Sequence, residues 1–202
     1  MTPRLIIEQK ITIFTNMYRI FGAGPEGAKA SLIAFAQQKR LAFKEKVTFY
    51  GDEQKTSTAF TFRAEKVFDV HGRYFVEDEN GQLVGMFRKV FGSSLLVSTW
   101  RLMDKDGNEL FEIKENSVPL ALLRRFGGMI PFVGDLVEFI VLFFRYHFKF
   151  IDLATGEEVG MYRKTTLFRD HYLLSTTDGS FSKLDWRVYA AFGVGLDALQ
   201  SR

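Results

Sequence analysis

The reading of "RIFGAGPEGAKASLIAFAQQK", residues 19–39, decides the fold. Gly22, Gly24 and Gly27 satisfy G-x-G-x-x-G between an apolar stretch and a helix-compatible one, the layout of a dinucleotide fold's first strand, phosphate loop and helix. "KVTFY" (46–50) followed by Asp52 or Glu53 would supply the second strand and its acid. Against this, Asn16 and Arg19 interrupt the first strand, where a buried parallel strand is near-continuously apolar. Beyond Asp52 the chain shows hairpin alternation and no further strand-helix-strand units. Glycine serves a turn needing positive φ as well as a phosphate cradle. The expectation is therefore a β-hairpin, with a strand through Tyr18 and Ile20, a turn at Gly22–Gly27, and a return strand through Leu32 and Phe35. A helix over residues 28–38 would reverse it.

Outward from this stretch the chain repeats itself. "VEDENGQLVGMFRK" (76–89) is echoed by "FIDLATGEEVGMYRK" (150–164), an Asp, a turn with Gly, then Gly-Met-aromatic-Arg-Lys. "LMDKDGNELFEI" places Asp104, Asp106 and Gly107 between apolar runs, a hairpin signal. In "FFRYHFKFI", Phe144, Tyr146, Phe148 and Phe150 alternate with Arg145, His147 and Lys149, as in a half-buried antiparallel strand. Twelve strands follow, centred near Ile7, Arg19, Ile33, Thr48, Phe62, Phe75, Phe87, Ser98, Ile113, Phe148, Tyr162 and Leu173. So many short strands imply a sandwich or a closed barrel. Ser117, Pro119 and Pro131 predict short helices between the halves, over 117–140. "WRVYAAFGVGLDAL" is apolar around most of its circumference and predicts a buried helix over 184–199.

The 202 residues suit one domain, 1–202, with 22 Phe to bury. A net charge of +3 without a polybasic block argues against nucleic acid as a partner. Cysteine is absent, which excludes disulfides and thiolate chemistry; with no secretory hydrophobic region at the N-terminus, the expected location is cytoplasmic, peripheral at the membrane if lipid is bound. Val118–Phe144 carries Arg124, Arg125, Asp135 and Glu138, and Trp186–Leu199 carries Arg187 and Asp197, so neither offers the roughly 18–20 uncharged residues of a membrane span.

"AFAQQKRLAFKEKVTFYGDE", "FRAEKVFDVHGRYFVEDENGQLVG", "STWRLMDKDGNEL" and the apolar tail holding Asp197 together resemble the LURP-one-related group of the Tubby C-terminal-like superfamily, to which the phospholipid scramblases also belong. The resemblance implies an all-β fold with a central helix: a twelve-stranded barrel of two pseudo-repeated halves enclosing a hydrophobic C-terminal helix. It also implies a tendency to bind anionic phospholipid. It transfers no site residue, since neither the Tubby lipid-contact motifs nor the scramblase acidic calcium segment can be matched.

Chemistry is sparse. Asp104, Asp106, Asn108 and Glu115 fit positions 1, 3, 5 and 12 of a calcium loop, but Glu109 replaces its glycine and the flanks read as strands, so a hairpin turn is expected. His71, His147 and His171 lack ligand spacing, G-x-S-x-G is absent, and the adjacent Glu157 and Glu158 face opposite ways on a strand. Neither metal, cofactor nor catalytic residue is expected. The basic pairs Lys39-Arg40, Arg88-Lys89 and Arg163-Lys164 are the candidate lipid-binding residues, with Arg124-Arg125 elsewhere. The expected function is a non-catalytic binding module for anionic phospholipid or phosphoinositide headgroups. The alternatives are a protein-interaction scaffold domain and, as a minor one, a nucleotide-binding enzyme using Gly22, Gly24 and Gly27.

Overall fold

The computed structural model describes residues 1–12, 15–39, 46–65, 72–90, 98–115, 147–166 and 170–200. Twelve strands are present: β1 (Thr2–Ile11), β2 (Thr15–Ala23), β3 (Lys29–Lys39), β4 (Lys46–Tyr50), β5 (Thr58–Ala64), β6 (Arg73–Asp78), β7 (Leu83–Val90), β8 (Thr99–Met103), β9 (Glu109–Glu115), β10 (Phe148–Asp152), β11 (Glu158–Lys164) and β12 (Asp170–Thr176). Each pairs antiparallel with its neighbours in sequence, and β1 pairs with β12, so the sheet closes on itself and leaves no edge strand. Two helices follow, α1 (Asp178–Phe181) and α2 (Trp186–Gln200). The short helices expected between the halves lie outside the described residues.

The glycine-rich stretch is the β2–β3 hairpin. Residues 29–39 are strand, and the connection is a single 3-10 turn, Pro25–Gly27. Glu26 at φ 58° and Gly27 at φ 81° make its reversal, closed by Gly24 N–H donating to the Ala28 carbonyl at 2.7 Å. Gly22 lies inside β2, opposite Leu5 of β1, so the turn is shorter than Gly22–Gly27. A dinucleotide fold needs a helix here to hold the pyrophosphate; the antiparallel return strand removes that reading.

Period-two alternation sorts the side chains. Leu5 and Ile7 of β1, Tyr18 and Ile20 of β2, and Ala34 and Ala36 of β3 face inward and are almost completely buried. Helix α2 occupies the interior, with Val188, Ala190, Ala191 and Val194 fully inaccessible. Phe192 meets the rings of Phe87, Trp100 and Phe150 at 5.9, 5.8 and 6.1 Å, and Tyr189 stacks on Phe181 at 5.2 Å. Many of the chain's phenylalanines are thus the packing between the barrel wall and its central helix, at ring distances that favour aromatic pairs. The even strand alternation and a tail apolar all round have one solution in common, a wall with a dry inner face wrapped around that tail.

Candidate functional site

The barrel's two ends differ. Because consecutive strands alternate in direction, β3, β7 and β11 run the same way, and Lys39, Arg88-Lys89 and Arg163-Lys164 near their ends share one rim. They are four strands apart in a ring of twelve, about 19 Å along the wall at roughly 4.8 Å per strand. They therefore form a spaced ring and no single pocket. The opposite end is formed by turns that carry Asp52, Glu53, Glu79, Asp104 and Asp106, with Asp185 ahead of α2.

Within the pairs of β7 and β11 the residues point oppositely. Arg88 lies on the outer wall, where its guanidinium donates to Glu109 at 2.7 and 3.0 Å, held away from the rim by that partner. Lys89 follows the inward register after Phe87 and sets its ammonium 5.8 Å from the Trp100 ring centroid. Arg163 is exposed on the outer face and makes no ion pair among the described residues. Lys164 shares the inward register of Tyr162, and its carbonyl lies 3.3 Å from His147 Nε2. Lys39 ends β3; Arg40, Arg124 and Arg125 lie outside the described residues.

Two features of this rim were not read from the sequence as candidate site residues. Lys10, exposed near the end of β1, joins the ring without an ion pair among the described residues. Asn16 and Gln38, direct partners across β2 and β3, face inward beside Tyr18 and Ala36, and each is only 7% exposed. Among the described residues neither the Asn16 Oδ1 nor the Gln38 Oε1 has a hydrogen-bond donor. The signal was available, since both polar residues fall in phase with core positions of their strands.

At the acidic end a cleft of about 470 Å³ is lined by Asp78, Asp104, Asp106, Lys183 and Asp185, among others. Three of its carboxylates, those of Asp78, Asp104 and Asp185, already accept hydrogen bonds. Asp104 Oδ1 accepts the Asp106 and Asn108 N–H groups at 2.9 Å, and the Asn108 amide donates to Oδ2 at 2.9 Å; that amide, outweighing desolvation, holds Asp104 below the usual carboxylate range. Burial works against the Asp185 carboxylate, but Arg187 donates to it at 2.7 and 3.0 Å and leaves its pKa lowered. Glu115, the last member of the calcium-loop pattern, closes β9 at the other end, where it accepts Ser98 N–H at 3.2 Å. The pattern is thus a hairpin turn, and no group of three or more acidic or histidine residues among the described ones is placed to hold a metal ion. His171 stands apart on the outer face, 2.5 Å from Thr165 Oγ1, with burial lowering its pKa against the pull of Glu8.

A closed antiparallel barrel wrapped around its own C-terminal helix defines the class, an all-β barrel with a central helix. The family model for LURP-one-related proteins matches residues 32–179, and the chain belongs to that family, which is placed in the Tubby-like superfamily. Comparison with curated proteins and with solved structures returned no match. Membership indicates a Tubby-like binding domain from a generally non-catalytic family.

Proposed function

We propose that the protein is a non-catalytic binding module that docks its basic rim on an anionic phospholipid surface, peripherally. The observation that carries this is the placement of the closing residues of β3, β7 and β11 around one rim, opposite an end whose turns are rich in acids. Cations on strands some 19 Å apart along the wall do not converge on one phosphate, whereas a flat array of headgroups can meet the outward ones, Lys10 and Arg163, together. Each Lys or Arg near such a surface contributes about 1 kcal/mol, screened within a Debye length. Repulsion of the acidic turns would orient the barrel rim-down. No helix among the described residues is long and apolar enough to cross a membrane.

Co-sedimentation with vesicles containing phosphatidylglycerol tests the reading. Binding is expected at low salt, weakening steeply as salt rises, and Arg163→Glu together with Lys10→Glu should weaken it on the order of 100-fold, four charge units at the rim. Absence of binding at low salt overturns the proposal and leaves the protein-interaction reading.

A further inference from the structure

The turn of the first repeated hairpin, between β6 and β7, carries the dipeptide Asn80–Gly81. The chain has four asparagines, and Asn80 is the one followed by glycine. Both residues are exposed. Gly81 sits at φ 78°, and a Cβ built on it would have nothing within 4 Å, so no neighbouring side chain shields this face of the turn. The Asn80 backbone N–H is held by Asp78 Oδ1 at 2.9 Å, while its side-chain amide makes no hydrogen bond among the described residues. The other asparagines differ. Asn16 is 7% exposed and precedes Met17. The Asn108 amide is fixed on Asp104 Oδ2 at 2.9 Å and precedes Glu109, whose side chain crowds the approach that glycine leaves open. Asn116 lies outside the described residues.

We infer that Asn80 is a site of spontaneous deamidation through the Gly81 nitrogen. That nitrogen attacks the carbonyl carbon of the Asn80 side chain, a new C–N bond closes a five-membered imide, and the amide nitrogen leaves as ammonia with the proton that Gly81 gives up. Water then opens the ring at either carbonyl. One opening gives aspartate; the other gives isoaspartate, whose main chain runs through the former side chain. Water is the sole co-reactant, and nothing is oxidised or reduced. The contact that must open first is the bond from Gly81 N–H to the Asp78 carbonyl, 3.1 Å, in a turn that solvent reaches. Either product adds a carboxylate two residues from Asp78 and Gln82, which line the cleft at the acidic end. The isoaspartyl form also lengthens the turn by one chain atom, which draws Gln82 N–H away from Asp78 Oδ1, its acceptor at 2.8 Å. The second repeated hairpin places Thr155 before Gly156 and has no amide to lose, so the modification falls on one half of the repeat.

The test incubates the full folded chain in mildly alkaline buffer at physiological temperature and follows its tryptic fragments by mass spectrometry against an unincubated control. The fragment holding Asn80, residues 74–88, should gain about 1 Da, the exchange of an amino group for a hydroxyl. It should resolve into two products, aspartate and isoaspartate, on chromatography. The gain should outpace that of fragment 106–114, which holds Asn108, on the order of tenfold or more. Asn80→Gln should abolish it, because the larger ring that glutamine requires closes far more slowly. Deamidation of Asn80 no faster than that of Asn108 overturns the inference. Aspartate as the sole product overturns it too, since direct hydrolysis would then bypass the Gly81 nitrogen. A gain in fragment 74–88 that persists in Asn80→Gln assigns the change to another residue and also overturns it.

Discussion

Gly85 and Gly160 hold the same place in two copies of one hairpin, and at each a methyl group has no room. A Cβ at Gly85 would stand 2.6 Å from Val188 Cγ2 of the central helix and 2.9 Å from the Met103 carbonyl. At Gly160 it would meet Thr176 Cγ2 at 2.9 Å and the Ser175 carbonyl at 3.0 Å. The repeated glycine is thus a spacing requirement where wall meets wall or helix. Gly85→Ala should cost about 1–3 kcal/mol as an overpacked site, lowering Tm by several degrees. Gly179→Ala, with nothing within 4 Å of the added carbon, should change Tm little. Equal melting of the two variants would show that the wall yields at Gly85.

Each hairpin of the repeat is also closed by its aspartate. Asp78 Oδ1 accepts Asn80 and Gln82 N–H at 2.9 and 2.8 Å, and Asp152 Oδ1 accepts Ala154 N–H at 2.9 Å. Asp152 does a second thing: its Oδ2 takes the Lys183 ammonium at 2.5 Å, which ties the β10–β11 turn to the segment leading into α2. Lys183 heads the causes that lower the Asp152 pKa, against desolvation. A carboxyl whose folded pKa is depressed adds stability above its unfolded pKa of about 3.9, and that stability is lost as pH falls through the folded value. Lys183→Met should therefore cost about 1 kcal/mol at pH 7, kept modest because the lysine is half in solvent. The gap to the wild-type melting curve should start to narrow as pH falls below about 4. A gap that does not narrow at all on acidification would assign the loss to packing of the lysine stem.

At the scale of the whole molecule, the barrel wall and its helix share one buried apolar cluster. Val188, Phe192, Val194 and Leu196 are buried by the wall, and at about 1.5–3 kcal/mol each they match the roughly 5–15 kcal/mol net stability of a domain. Deleting 186–202 should therefore abolish cooperative unfolding, seen as a flat thermal melt in near-ultraviolet circular dichroism. A truncated chain that still melts sharply would mean that the wall holds without its core.

Much of this was legible in the chain because strands and apolar helices announce themselves locally. The order of the twelve strands, the hairpin reading of Gly22–Gly27 and the buried tail follow from the period of side chains over a few residues, although Ser98, expected as a strand centre, lies just ahead of β8, and Phe148 opens β10 rather than centring it. The basic pairs were visible as residues; their common rim, their spacing and the diversion of Arg88 to Glu109 were not, since these depend on strand order and cross-strand register. Asn16 and Gln38 show the same limit, because two amides 22 positions apart become one polar corner only when β2 and β3 pair in this register. The sequence by itself determined which residues face inward, through alternation; only closure of the barrel decided which of them meet, because contact between distant strands is fixed by pairing that no local pattern encodes.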